Sequence, residues 1–145
     1  SGVAKKTYSH TGTFPIGTTD AEATLDIVFA PEVFSAKITA HLIQNDTDIT
    51  VMTMDVGGGS KTSSAPIMFK GPHTIFSGTN DNAWSPTVVT SATATDLTVS
   101  IKPSQTIQTL ADYNIFVEYT SAVTSGKLKQ LNDHQSSPVT VLFNY

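Results

Sequence analysis

Acid–base chemistry at neutral pH needs carboxylates in pairs, or a histidine beside a nucleophile, and the sequence offers few of either. It holds only three glutamates, Glu22, Glu32 and Glu118. None is spaced with an aspartate as the acid and nucleophile of a glycosidase would be. The four histidines, His10, His41, His73 and His134, are scattered, with no His-x-His or His-x-x-x-His spacing to hold a metal. Serine is plentiful but never stands in a Gly-x-Ser-x-Gly elbow. A Ser/His/Asp site assembled only by folding stays open as an alternative; the expectation is a protein without catalysis and without a cofactor.

Two segments invite a binding reading. Gly57-Gly58-Gly59-Ser60-Lys61-Thr62 looks like a phosphate loop but lacks the Gly-x-x-x-x-Gly-Lys spacing and a following helix. It reads as the most flexible stretch of the chain, a loop running on to Ser64. Asn80-Asp81-Asn82-Ala83-Trp84 places the only tryptophan beside amides and a carboxylate. A sugar asks for that combination, an aromatic plate for its apolar face and polar groups for its hydroxyls. Asn80, Asp81, Asn82 and Trp84 are therefore the expected ligand-binding residues. The alternative is a turn and a strand, with Trp84 in the core or between subunits. Asn45-Asp46-Thr47 has the form of a glycosylation sequon and is read as turn chemistry.

Composition narrows the partners. There is no arginine; eight lysines stand against twelve carboxylates, for a net charge of −4. A nucleic-acid binder needs a basic face and usually arginine forks, so DNA and RNA are excluded. The absence of cysteine removes disulfides, thiolate chemistry and Cys-ligated zinc. No apolar run approaches the roughly 20 residues that cross a bilayer, and no membrane insertion is expected. Ser1 to Lys6 lacks a signal-peptide core and reads as a linker or the scar of an excised fragment.

The elements that must carry these residues are strands. About one residue in four is Thr or Ser, and β-branched Thr sits well on a pleated sheet. Period-2 alternation marks Leu25 to Phe29, Ile38 to Leu42, Leu97 to Ile101, Ile115 to Thr120 and Val139 to Phe143. Further strands are expected over Tyr8 to Phe14 and Ile49 to Val56, with weaker ones at His73 to Phe76, Trp84 to Val89 and Lys127 to Leu131. A helical turn over Ser104 to Ala111 is the one non-strand candidate. The pattern predicts an all-β protein, an antiparallel, jelly-roll-like β-sandwich. Residues 1–10 are expected to be a linker or a first edge strand, and residues 11–145 one sandwich domain. Val28 and Phe116 project opposite the main apolar rows, and Phe34, Met52, Met54 and Leu142 are expected to do the same. Strands apolar on both faces need cover on both, which points to a subunit interface.

The chain resembles the distal, receptor-binding part of trimeric bacteriophage tail fibres and tailspikes. The segments that carry the likeness are Gly12 to Phe14, Ile16 to Ile27, Ala36 to Leu42, Trp84 to Val88, Tyr113 to Tyr119 and Gly126 to Leu128. The resemblance implies a homotrimer, an extracellular place on the virion tail, and a bacterial surface polysaccharide or outer-membrane receptor as partner. Such modules often precede an intramolecular chaperone that trims itself away; an end at Phe143-Asn144-Tyr145 fits that processing and a natural terminus equally. The rival readings are a purely structural trimer clamp, a monomeric carbohydrate-binding module and a small Ser-type hydrolase.

Overall fold

The structure is a computed structural model that describes residues 3–44, 48–62, 64–77, 86–133 and 143–144. Among these the chain forms β1 (Ala4–Phe14), β2 (Leu25–Phe29), β3 (Phe34–Ile43), β4 (Ile49–Gly59), β5 (Ile67–Ser77), β6 (Thr87–Ala92), β7 (Leu97–Lys102), β8 (Ala111–Ser121), β9 (Leu128–Asp133) and β10 (Phe143–Asn144). Every pairing is antiparallel. The larger sheet runs β10-β1-β8-β3-β4-β5 and the smaller β6-β7-β2-β9, the expected all-β sandwich. As in a jelly roll, strands distant in sequence lie side by side: β8 sits between β1 and β3, and β2 beside β7. β1 begins at Ala4 and pairs with β8 without a break as far as Phe14.

Alternation decides the layers. Along β3, Phe34, Ala36, Ile38, Ala40 and Leu42 are buried, while Ser35, Lys37 and Ile43 face outward. β8 repeats the pattern, burying Tyr113, Ile115, Val117 and Tyr119 and exposing Asp112, Phe116 and Glu118. Leu25, Ile27 and Phe29 of β2, with Leu97, Val99 and Ile101 of β7, complete the core from the opposite sheet. Outside, β1 presents Ser9, Thr11 and Thr13, a row of hydroxyls.

Three residues expected on the outer face belong to the core instead. Phe34, Met52 and Met54 are at most 4% exposed. Register explains it: Met52 lies opposite Ala40 and Met54 opposite Ile38, so both methionines share the inner face. Flexible Met52 takes up room left by the small Ala40 side chain. Phe34 stacks on Phe29 of the other sheet, ring centroids 4.3 Å apart. Val28 does point outward, between Thr98 and Gln130 on the neighbouring strands, but is buried. Phe116 is exposed as expected, and Leu142 lies outside the described residues.

The glycine run is also not the flexible loop expected of it. Gly57, Gly58 and Gly59 are buried and end β4, paired on one edge with β5. A Cβ on Gly58 would collide with the Ile67 carbonyl, and one on Gly59, whose φ is +108°, would stand 2.5 Å from the Glu32 backbone. Three backbones converge where only glycine fits. Residues 104–110 form no helix; this connection is pinned by Gly17 N–H to the Ile107 carbonyl (2.9 Å) and Ile107 N–H to the Thr18 carbonyl (2.8 Å), with Ile107 buried.

Where the sheets close on each other the core is aromatic. Tyr119 meets Tyr8 edge-on at 6.0 Å and stacks near Phe29 and Phe34. The Leu128 N–H donates to the Tyr8 hydroxyl at 3.2 Å, joining β9 to β1. Burial pushes the Tyr119 hydroxyl up from 10.0 to about 12; the nearby Ser121 hydroxyl partly offsets that, and Tyr8 and Glu32 add to it. Gly126 leaves the space for this pair, since a Cβ there would overlap Ser121.

Candidate binding groove

A concavity of about 550 Å³ opens on the outer face of the larger sheet, at the end where the β3–β4 hairpin turns. The turn is held by Gln44 N–H donating to the Asp48 carbonyl at 2.9 Å. Because outward positions recur every second residue, Ile43 lies between Ile49 and Asp112 on its neighbouring strands, and His41 between Val51 and Asn114. Leu110, just before β8, stands beside them at the rim. The floor is thus branched and aliphatic: Ile43, Ile49, Val51 and Leu110.

The polar lining residues are His41, Gln44, Thr50 and Asp112. Thr13 donates its hydroxyl to Asp112 Oδ1 at 3.0 Å. Among the described residues no donor reaches Asp112 Oδ2, and no partner engages the His41 ring. A half-buried imidazole and a carboxylate oxygen, both unused beside apolar surface in a pocket of ligand size, are the ordinary ingredients of a small-molecule site. Among the described residues no cluster of three or more His, Asp or Glu could hold a metal ion.

Asn80, Asp81, Asn82 and Trp84 lie outside the described residues. The chain leaves β5 for that segment at Ser77, which pairs with Thr50 of the groove. The other residues singled out from sequence are not brought together. Glu22 closes a turn, accepting from Thr19 N–H (3.2 Å) and the Thr19 hydroxyl (2.9 Å), while its own N–H donates back to Thr19 Oγ1 (3.2 Å), the reciprocal pattern of a capping box. His10 Nε2 lies 3.0 Å from the Tyr113 hydroxyl, on the inner side of β1. Glu118 is on the outer face beside Lys37, and His134 lies outside the described residues. The groove itself could not be found from sequence. His41 and Asp112 are 71 positions apart, and only the β3–β8 register unites them.

No family model matches the chain, and no curated protein does. Among solved structures it is similar to the crystal structure of the Acinetobacter phage vB_ApiP_P1 tailspike protein, with 13% sequence identity and a TM-score of 0.38. The similarity covers 83% of this chain and 22% of the tailspike. At that level it assigns neither a family nor a site. Among the described residues no helix is long and apolar enough to cross a membrane.

Proposed function

We propose that this chain is an adhesive module, of the kind found at the distal end of phage tail fibres and tailspikes, that contacts a glycan or receptor on a bacterial surface. The observation that carries the binding role is the groove, where the His41 imidazole and the second oxygen of Asp112 flank an aliphatic floor on the outer face of the larger sheet. The phage setting rests on the sequence resemblance. The Asn80–Trp84 segment, outside the described residues, is a separate candidate contact in this reading, on the sequence grounds of its aromatic, amide and carboxylate groups.

The test is cell or glycan binding by Val51→Lys and Leu110→Lys variants. Both side chains are outward and outside the core cluster, so folding should survive. Binding should fall about tenfold or more, since each 1.4 kcal/mol is a factor of ten. Unchanged binding in folded variants would favour the trimer-clamp reading. Ester and glycoside panels should show no turnover; turnover abolished by changing a single histidine would favour the hydrolase.

A second surface supports assembly. Phe69, 57% exposed, lies over Gly57, with Ile67 (63%) two residues before it on the edge strand β5 and opposite Gly59. With Phe34, Met52 and Met54 in the core, this edge and the outward Phe116 are among the exposed apolar surfaces for a homotrimer to cover.

A further inference from the structure

Resting on the binding role just proposed, we infer that the groove takes the acetamido group of an N-acetylated amino sugar. The floor offers no aromatic plate among its described lining residues. Branched Ile43, Ile49 and Val51, with Leu110, instead suit a small apolar knob such as a methyl group, whose burial is favourable in proportion to the area removed from water.

The polar rim narrows the class further. An acetamido group carries three features in one plane: an N–H donor, a carbonyl acceptor and a methyl group. Asp112 Oδ2 has no donor among the described residues and can only accept at neutral pH. The His41 ring carries an N–H whichever tautomer is present and has no described acceptor. His41 pairs with Asn114 and Ile43 with Asp112, so His41 and Asp112 are diagonal neighbours on one face. Such positions are about 7–8 Å apart, a span an amide can bridge with one hydrogen bond to each side. The N–H goes to Asp112, the carbonyl to His41, and the methyl to the aliphatic floor between them. A hydroxyl in the same place would satisfy the rim but leave the floor unfilled. The methyl group of a 6-deoxy sugar would fill the floor but leave the rim unpaired.

The experiment is a titration of the methyl-labelled protein, watched through the methyl signals of Ile43, Ile49, Val51 and Leu110. The probes are N-acetylglucosamine, N-acetylgalactosamine, glucose and fucose. At least one of the two acetamido sugars should shift these signals saturably and at least tenfold more tightly than glucose or fucose. Asp112→Asn keeps an oxygen for Thr13 but turns the free oxygen into a donor; it should weaken binding about tenfold with the remaining methyl spectrum unchanged. Glucose or fucose binding as tightly as the acetamido sugars overturns the inference, as does full affinity in Asp112→Asn. If no sugar moves the signals, the inference also fails. Cell binding by the Leu110→Lys variant then tells the two claims apart: lost binding keeps the groove as the contact, intact binding removes both.

Discussion

The ring of Tyr113 lies across Gly12, its nearest atoms 2.5–2.6 Å from where a Cβ on Gly12 would stand. The two residues face each other in the β1–β8 register, and the same ring stacks on Phe14 at 4.5 Å. A glycine inside a strand costs backbone entropy; here the aromatic ring occupies the vacancy it leaves. Gly12→Ala should displace the ring and destabilise the fold by about 1–3 kcal/mol, the usual cost of overpacking. In a double-mutant cycle with Tyr113→Ala the two losses should fall short of additivity, because they share one contact. Thermal unfolding of the four proteins measures this, and strict additivity would refute the coupling.

At Gly59 the backbone itself is the constraint. With φ at +108° and the Glu32 backbone at contact, Gly59→Ala carries both conformational strain and overlap. A loss of at least about 2–3 kcal/mol is expected. Lys61→Ala, just beyond the strand and exposed, should change stability by no more than about 0.5 kcal/mol. Equal tolerance at the two positions would restore a mobile glycine loop.

Tyr119 gives the fold an alkaline edge. Its hydroxyl titrates near 12 when folded against 10.0 ordinarily, so the native state holds a proton that the unfolded state gives up first. Its contribution is complete below pH 10 and is lost as pH rises through about 12. The loss reaches roughly 3 kcal/mol, at somewhat over 1 kcal/mol per pKa unit. Denaturant unfolding of the parent and of Tyr119→Phe, compared between pH 9 and pH 12, should show the parent losing stability relative to the variant as pH rises. A constant gap would mean that the hydroxyl ionises freely in the native state.

Assembly can be read from mass. Sedimentation at micromolar concentration should give about three times the 15.4 kDa of the chain. Phe69→Asp, on the exposed edge, should shift that mass towards the monomer. A clean monomer from the unaltered chain would leave the Phe69 edge without the role given to it here.

The segment from Gly78 to Trp84 has its own test. Trp84→Ala and Asp81→Ala should each weaken glycan or cell binding about tenfold while oligomeric mass and melting temperature hold. A large fall in melting temperature for Trp84→Ala, with binding lost only on unfolding, would place the tryptophan in the core or between subunits.

Alternation made much of this fold legible in the sequence. Leu25 to Phe29, Leu97 to Ile101 and Ile115 to Thr120 are strands because one set of side chains is apolar and the other is not. The same rule could not choose a face for Met52 and Met54, since Val51 and Thr53, which alternate with them, are equally plausible on either side; the choice was made by pairing with Ala40 and Ile38. Nor could it read Gly57 to Gly59, where flexibility and close approach call for the same residue. The groove depends wholly on register between β3, β4 and β8, information held in no local window. Asp112 and His41 were therefore not visible as a pair.

The row of Ser9, Thr11 and Thr13 has a consequence for the medium in which the protein works. Hydroxyls keep a sheet face wetted without an ion atmosphere, and this chain carries only 14% charged residues. Contacts made by that row alone, unlike contacts to Asp112 and Glu118 on the neighbouring strand, have little Coulombic energy for dissolved salt to screen as the Debye length shrinks from about 30 Å at 0.01 M to about 3 Å at 1 M. Whatever docks against those hydroxyls alone should hold about as well in brine as in fresh water.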